Sequence, residues 1–332
     1  LAQAGVLLAA NRLVRIFGYR HVLNFYARNG DRLTCMIAAG AATLCAVGNS
    51  LLSGFAALLC LRLVWGLCFA ALNLSTQVLA TSEPAGAARR AGRSRALIAL
   101  GPMLALPLGG WLTLMAGPRP IFLILAGCCL VGLWMARGLP TVGHDLHSTP
   151  GRRFKWPDSV AMWSFIEGVA LDGLFMFGLS IQAQKLLGGD AVLIAGGLMA
   201  LRYVSEMLLS PLGGRAAQRF GATSMLLLFS FLSALALTAF GSYWVIVGAA
   251  AVLVLRALQL PLVTTLVAER NPGSMRVSAL ASNAVWRDIG AGLGPLLAGL
   301  LLPIASAPWV FGLAGAAIAV SAVFCWRAKI SN

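Results

Sequence analysis

"ALRYVSEMLLSPLGGRAAQRFG", Ala200 to Gly221, aligns with "ANRLVRIFGYRHVLNFYARNG", Ala10 to Gly30. Arg202 matches Arg12 at an offset of 190 residues, and Arg219 with Gly221 match Arg28 with Gly30 at 191. Further on, Arg256 matches Arg62 at 194, and Gly294-Pro295 match Gly101-Pro102 at 193. An offset that drifts so little over that length marks an internal duplication. Both copies are apolar, yet each carries charge in mid-stretch. The chain is therefore read as two parallel helical bundles with ionisable groups inside.

Composition agrees. Hydrophobic residues make up 59% of the 332 and charged residues only 11%, and apolar runs long enough to span a bilayer recur. The period-2 alternation of a membrane β-barrel is absent. Helices are expected at 3–26, 33–52, 55–79, 96–115, 120–137, 159–184, 191–213, 222–241, 245–268, 279–304 and 308–326. The stretch "GLPTVGHDLHSTPGRRFKWPD", 138–158, is the one long connection. It divides an N-terminal bundle, 1–137, from a C-terminal bundle, 159–326, with a tail at 327–332. The helix at 159–184 has no counterpart in the first half. Its partner would precede Leu1, which predicts twelve spans in the natural protein and about eleven here.

The net charge of +15 is a matter of membrane orientation. Alternate loops hold Arg28 and Arg32; Arg89, Arg90, Arg93 and Arg95; Arg152, Arg153 and Lys155; Arg215 and Arg219; Arg270 and Arg276; Arg327 and Lys329. The opposite loops hold only Arg119 and Lys185. The first set is expected in the cytoplasm. No nucleic-acid-binding module is present. The seven cysteines lie in apolar runs without metal-ligand spacing and read as small buried hydrophobes, neither ligands nor disulfides. No cofactor or metal site is expected. An intramembrane catalytic set is absent too, so the chain is not read as an enzyme.

Two six-helix halves joined by a basic loop resemble the major facilitator superfamily of secondary transporters. The family motif G-x-x-x-D-R-x-G has its counterpart in "GRAAQRFG", with Gly214, Gln218 in place of the acid, Arg219 and Gly221. The first half keeps Arg28 and Gly30 but has Ala27 at the acidic position. In the family this motif holds the halves together through charge–dipole contacts. The family's R-x-x-Q-G reads "RLVWG" at Arg62 and "RALQ" at Arg256, and the resemblance implies proton coupling at those arginines. The alternative is an Arg that snorkels or sits in an ion pair. "GAGLGPLLAG", with Gly290, Gly294 and Pro295, resembles the antiporter motif and equally suits close helix packing. The resemblance implies alternating access to a mid-membrane site, a small-molecule substrate, protons and lipid as partners, and a monomer.

Seven arginines (12, 15, 20, 62, 202, 256, 287) face four acids (Glu167, Asp172, Glu206, Asp288) within the expected spans. Unpaired charge at that depth costs roughly 2.5–3.5 kcal/mol on insertion scales. Arg202 and Glu206, four apart, can pair. Glu167 and Asp172 are candidates for proton coupling, or partners for surplus arginines. Arg12, Arg15, Asn73, Arg202 and Glu206 are substrate-binding candidates, since a positive surplus favours an acidic head group. His21 is a weaker candidate for proton handling. Trp163, Trp286 and Trp309 read as interface anchors or cavity walls.

The expected function is proton-coupled export of a small amphiphilic or acidic organic molecule by an efflux antiporter. Uptake of an organic anion, lipid flipping and a non-transporting sensor on the same fold stay open. The Gly, Ala and Arg bias suggests a bacterial inner membrane.

Overall fold

The computed structural model describes residues 2–141, 156–187 and 191–330, and the side chains of all but 2–6, 8, 9, 183–187, 191–196 and 329–330. The basic residues 152, 153 and 155, most of the 138–158 connection, and the side chain of Lys185 lie outside the described residues.

The described chain is α-helical throughout. Its helices are α1 (Ala2–Leu51), α2 (Phe55–Ala80), α3 (Ala87–Ala116), α4 (Arg119–Ala136), α5 (Ser159–Glu167), α6 (Met176–Leu187), α7 (Ala191–Phe220), α8 (Ala222–Gly241), α9 (Val245–Arg270), α10 (Met275–Leu301) and α11 (Ala307–Ile330). A π-helical segment, Gly168–Phe175, joins α5 to α6. Among the described residues eight stretches are long and apolar enough to cross a membrane. α7 and α10, which carry charges in mid-helix, fall outside that count.

α1 is two helices merged at Gly30, whose φ of 69° no helix accommodates. Gly221 ends α7 in the same left-handed region, φ 86°. These are the matched glycines of the duplication, and both sit where a helix must reverse; a side chain would strain either turn.

Two boundaries differ most from the sequence expectation. α3 begins at Ala87, nine residues before the expected 96, so Arg89, Arg90, Arg93 and Arg95 are helical rather than looped. Ala and Arg are both strong helix formers, and charge density alone misplaced this end. α7 runs to Phe220, past the expected 213, for the same reason.

Packing groups the chain into two compact units: Leu1–Leu79 with Leu104–Arg152 and Pro272–Ala281, and Ala80–Met103 with Arg153–Asn271 and Ser282–Asn332. In the first, α1 packs along α4. Small residues (Ala38, Ala42, Cys68 and Ala71) form a core that lets backbones approach closely. Gly66 of α2 lies so close to α1 that a Cβ there would stand 2.5 Å from Val14 and 2.8 Å from the Asn11 carbonyl. Cysteines 35, 45, 68 and 325 are buried as expected, but Cys60 and Cys128 are exposed.

In the second unit α8 packs against both α9 and α11, and α7 against α9. Phe240 joins Phe175 and Phe311 edge-to-face, with centroids 4.9 and 4.7 Å apart. Each such pair is worth roughly 0.5–1.5 kcal/mol beyond burial. Trp163 is a core residue here, donating its indole N–H to Ser230 Oγ at 3.0 Å. Trp286 stacks edge-on against Phe165, and Trp309 is exposed.

Candidate functional site

The site lies in the second unit and begins with glycines. Gly290 and Gly294 of α10 present bare backbone to α5 and the π-helical segment. A Cβ on Gly290 would overlap the Phe165 carbonyl, and one on Gly294 would overlap Gly173 and stand 2.5 Å from the Val169 carbonyl. Gly168 meets α10 equally closely, at the Arg287 carbonyl. The stripe beside Pro295 thus brings two backbones into direct contact. That contact sets Glu167 and Asp172 beside Arg287.

The π-helical turn does the rest. Residues five apart on an α-helix point about 140° from one another. With i→i+5 hydrogen bonding they stand nearly one above the other. Glu167 and Asp172 therefore both face the charges of α7, α9 and α10.

Arg256 of α9 is the hub, its side chain only 4% exposed. Its Nε donates to Asp172 Oδ1 at 3.0 Å and its Nη2 to the same oxygen at 2.5 Å. Its Nη1 donates to Glu206 in a short hydrogen bond, and Glu167 Oε1 lies 3.8 Å from Nε. Arg287 Nε donates to Glu167 Oε2 at 3.1 Å, and its Nη2 to Asp172 Oδ2 at 2.7 Å. Arg202 Nε donates to Glu206 Oε1 at 3.2 Å across one helical turn, and its Nη2 lies 3.9 Å from Asp172. Three guanidiniums meet three carboxylates. Desolvating six charges is costly, and only this density of charged hydrogen bonds offsets it. Arg287, 24% exposed, and Arg202, 20% exposed, form the outward edge.

A fourth guanidinium joins them. The seam of α3 on α7 pairs Ala88 with Gly214 and Gly92 with Ser210, where a Cβ on Gly92 would stand 2.5 Å from the Ser210 carbonyl. Continuing this antiparallel register, the next turn sets Arg95 opposite Glu206. It lies within electrostatic range of Glu206, Glu167, Arg256 and Arg287. Among the described residues Arg95 makes no ion pair or hydrogen bond. The density of arginines around it suggests a loop, and the structure makes it helical. The small residues Ala88, Gly92 and Ala99, all buried on its helix face, were the signal that α3 packs there.

Within this cluster three acids match Arg202, Arg256 and Arg287 in number, and Arg95 is the further guanidinium at its edge.

The remaining candidates lie in the first unit. Arg12 and Arg15 are half-buried, and the Arg15 guanidinium stacks 4.8 Å over the Phe69 ring. Arg62 and Asn73 are half-buried; Arg20 and His21 are exposed. Arg62 makes no ion pair or hydrogen bond among the described residues. The motif arginines Arg28 and Arg219 are exposed, as is Gln218, while Gly214 is buried against the Ala88 carbonyl. The first-half motif does keep an acid, displaced past its glycine. Asp31 is buried and accepts from Tyr26 Oη at 2.6 Å and Ser75 Oγ at 2.5 Å.

A family model described as Major Facilitator Superfamily matches residues 165–330, the half of the chain that builds this network. The chain belongs to the major facilitator superfamily. It is a multi-pass membrane protein of a transporter family. Its fold is similar to that of the human organic anion transporter MFSD10 (TETRAN), with a TM-score of 0.80 at 16% identity over 97% of this chain and 83% of that one. The proton:xylose symporter XylE bound to 6-bromo-6-deoxy-D-glucose superposes with a TM-score of 0.80 at 14% identity, over 98% of this chain and 86% of that one. At such identities the likeness speaks for the fold. No curated protein matches the chain by sequence.

Proposed function

We propose that the chain is a proton-coupled secondary transporter of a small amphiphilic or acidic organic molecule, working by alternating access in a bacterial inner membrane. In this reading 1–137 and 159–326 are the rocking bundles, with 138–158 and 327–332 in the cytoplasm. The observation that carries it is the buried network of Glu167, Asp172 and Glu206 with Arg202, Arg256 and Arg287, bordered by Arg95, which has no ion-pair partner among the described residues.

Export by antiport remains the first reading of direction. It requires that substrate and proton compete, as they would for an amphiphile that displaces a proton from Glu167 or Asp172. The second reading, uptake of an organic anion with a proton, is favoured by one feature. A substrate carboxylate at Arg95 and the exposed edge of Arg287 would draw Arg287 away from Glu167. A buried carboxylate that loses its cation is stable only if it takes a proton, so anion and proton would travel together. The fold similarity to an organic anion transporter is consistent with such a substrate.

Proteoliposomes loaded with a pH-sensitive dye test both. Amphiphilic acids and their neutral amides are added outside. Substrate-driven lumen acidification means cotransport, and alkalinisation from an acid-loaded lumen means antiport. No proton movement with any compound that is itself transported would reject proton coupling.

A further inference from the structure

Beyond α4 the chain folds back onto the second helix of α1. The Arg32 backbone N–H donates to the Pro140 carbonyl at 3.2 Å. Beside this bond lies a cavity of about 380 Å³ lined by Asn29, Arg32, Leu33, Met36, Arg137 and Thr141. All belong to the first unit, far in sequence from the charge network.

The lining is of two kinds. Arg32 and Arg137 bring two guanidiniums, and neither side chain makes an ion pair or hydrogen bond among the described residues. Among the described residues no acid lines the cavity. Leu33 and Met36 form an apolar wall. Leu33 is 44% exposed and Ile37, one turn on, 51%, so the wall continues into the outer surface of a membrane helix. Arg28 and Arg32 fall in the loop set that the charge asymmetry places at the cytoplasmic surface, and the Arg32–Pro140 bond puts the end of α4 there too.

We propose that this cavity binds the phosphate headgroup of an anionic phospholipid from the cytoplasmic leaflet. Arg32 and Arg137 would hold the phosphate, and Leu33 and Met36 the start of an acyl chain. Two cations without ion-pair partners among the described residues, beside an exposed apolar strip, match a ligand that is anionic at one end and apolar at the other. Guanidinium presents the planar donors that phosphate oxygens accept. Basic pockets between membrane helices on the cytoplasmic side take such headgroups. The volume is that of about a dozen waters, enough for a phosphate and its glycerol. A lipid rather than free phosphate is the occupant, because the site opens along the bilayer where lipid is concentrated.

The full chain, purified in a mild non-ionic detergent, is titrated with dioleoylphosphatidylglycerol, dioleoylphosphatidylcholine or sodium phosphate. Bound lipid is counted by native mass spectrometry and stability followed by thermal melting. Phosphatidylglycerol is expected to stay bound and raise the melting temperature, phosphatidylcholine to do neither, and millimolar phosphate not to compete. Arg32→Gln with Arg137→Gln should weaken phosphatidylglycerol binding by about 30-fold, the contribution of two arginines at an anionic surface. Arg89→Gln with Arg93→Gln, an exposed pair outside the cavity, should leave it unchanged. Equal loss with both pairs, displacement by free phosphate, or no retained lipid would each overturn the proposal. Arg137→Gln alone, at an exposed position, supplies the reading if the double variant does not fold.

Discussion

Arg62 and Arg256 occupy matched places in a duplicated sequence, yet they live in different electrostatic worlds. Arg256 is enclosed by three carboxylates, whereas Arg62 has no acid against it among the described residues. The same holds one helix earlier. Arg202 pairs with Glu206 on its own helix, but the residue matching Glu206 beside Arg12 is Ile16. Duplication preserved the guanidiniums and one copy surrounded them with acids. The second copy reads as the charge-handling half, with proton coupling as its proposed role, and in the first no acid stands against Arg62 among the described residues.

The comparison extends to glycine. Gly294 meets the backbone of Val169, Gly173 and Leu174, while its counterpart Gly101 has open space where a Cβ would go. Gly294→Val is expected to cost about 3 kcal/mol or more through overpacking, and Gly101→Ala close to nothing. Melting temperatures of the two variants, purified in parallel, check this. Similar losses would mean that the α10 stripe is not what seats Glu167 and Asp172.

Arg256→Ala leaves three acids with two paired cations and should destabilise the fold by about 3–5 kcal/mol. Arg62→Ala should stay within about 1 kcal/mol of the parent, with folding intact but coupled transport lost. Thermal melting compares the two, and a matched drop would erase the distinction between the copies. Glu167→Gln keeps the shape of the carboxyl but cannot bind or release a proton. It should retain substrate exchange across the membrane while losing substrate-driven proton movement.

Smaller effects separate the charges that receive the substrate. Removing an unpaired cation that meets a substrate carboxylate costs about 1.5–3 kcal/mol. Arg95→Gln should thus weaken acidic substrates by at least about tenfold relative to their neutral amides. Arg12→Ala should show the same preference to a lesser degree. Transport competition measures both, and equal loss for acid and amide would argue against charge recognition.

Much of this was legible in the sequence because it is periodic or local. The duplication, the helices and the Arg202–Glu206 pair all follow from spacing along one stretch of chain. What escaped is non-local or breaks a rule. The bonds of Arg256 to Asp172 and of Arg287 to Glu167 join residues 84 and 120 apart, and no pattern along the chain announces them. The π-helical turn at Gly168–Phe175 changes which face Asp172 occupies, and an assumed α-helical period hides that. Arg95 was lost among neighbouring arginines whose density suggests a loop. Asp31, one residue beyond the motif glycine, was overlooked because the acid is usual before it.

The most direct measurement is the number of protons taken up or released when an acidic substrate binds the purified protein, read calorimetrically in buffers of different ionisation enthalpy. A substrate that travels with its proton should bring proton uptake by the parent, one that exchanges for a proton should bring release, and Glu167→Gln should bind the anion with neither. Anion binding by the parent with no proton taken up or released, or proton exchange undiminished in Glu167→Gln, would contradict a coupling role for the Arg287–Glu167 contact.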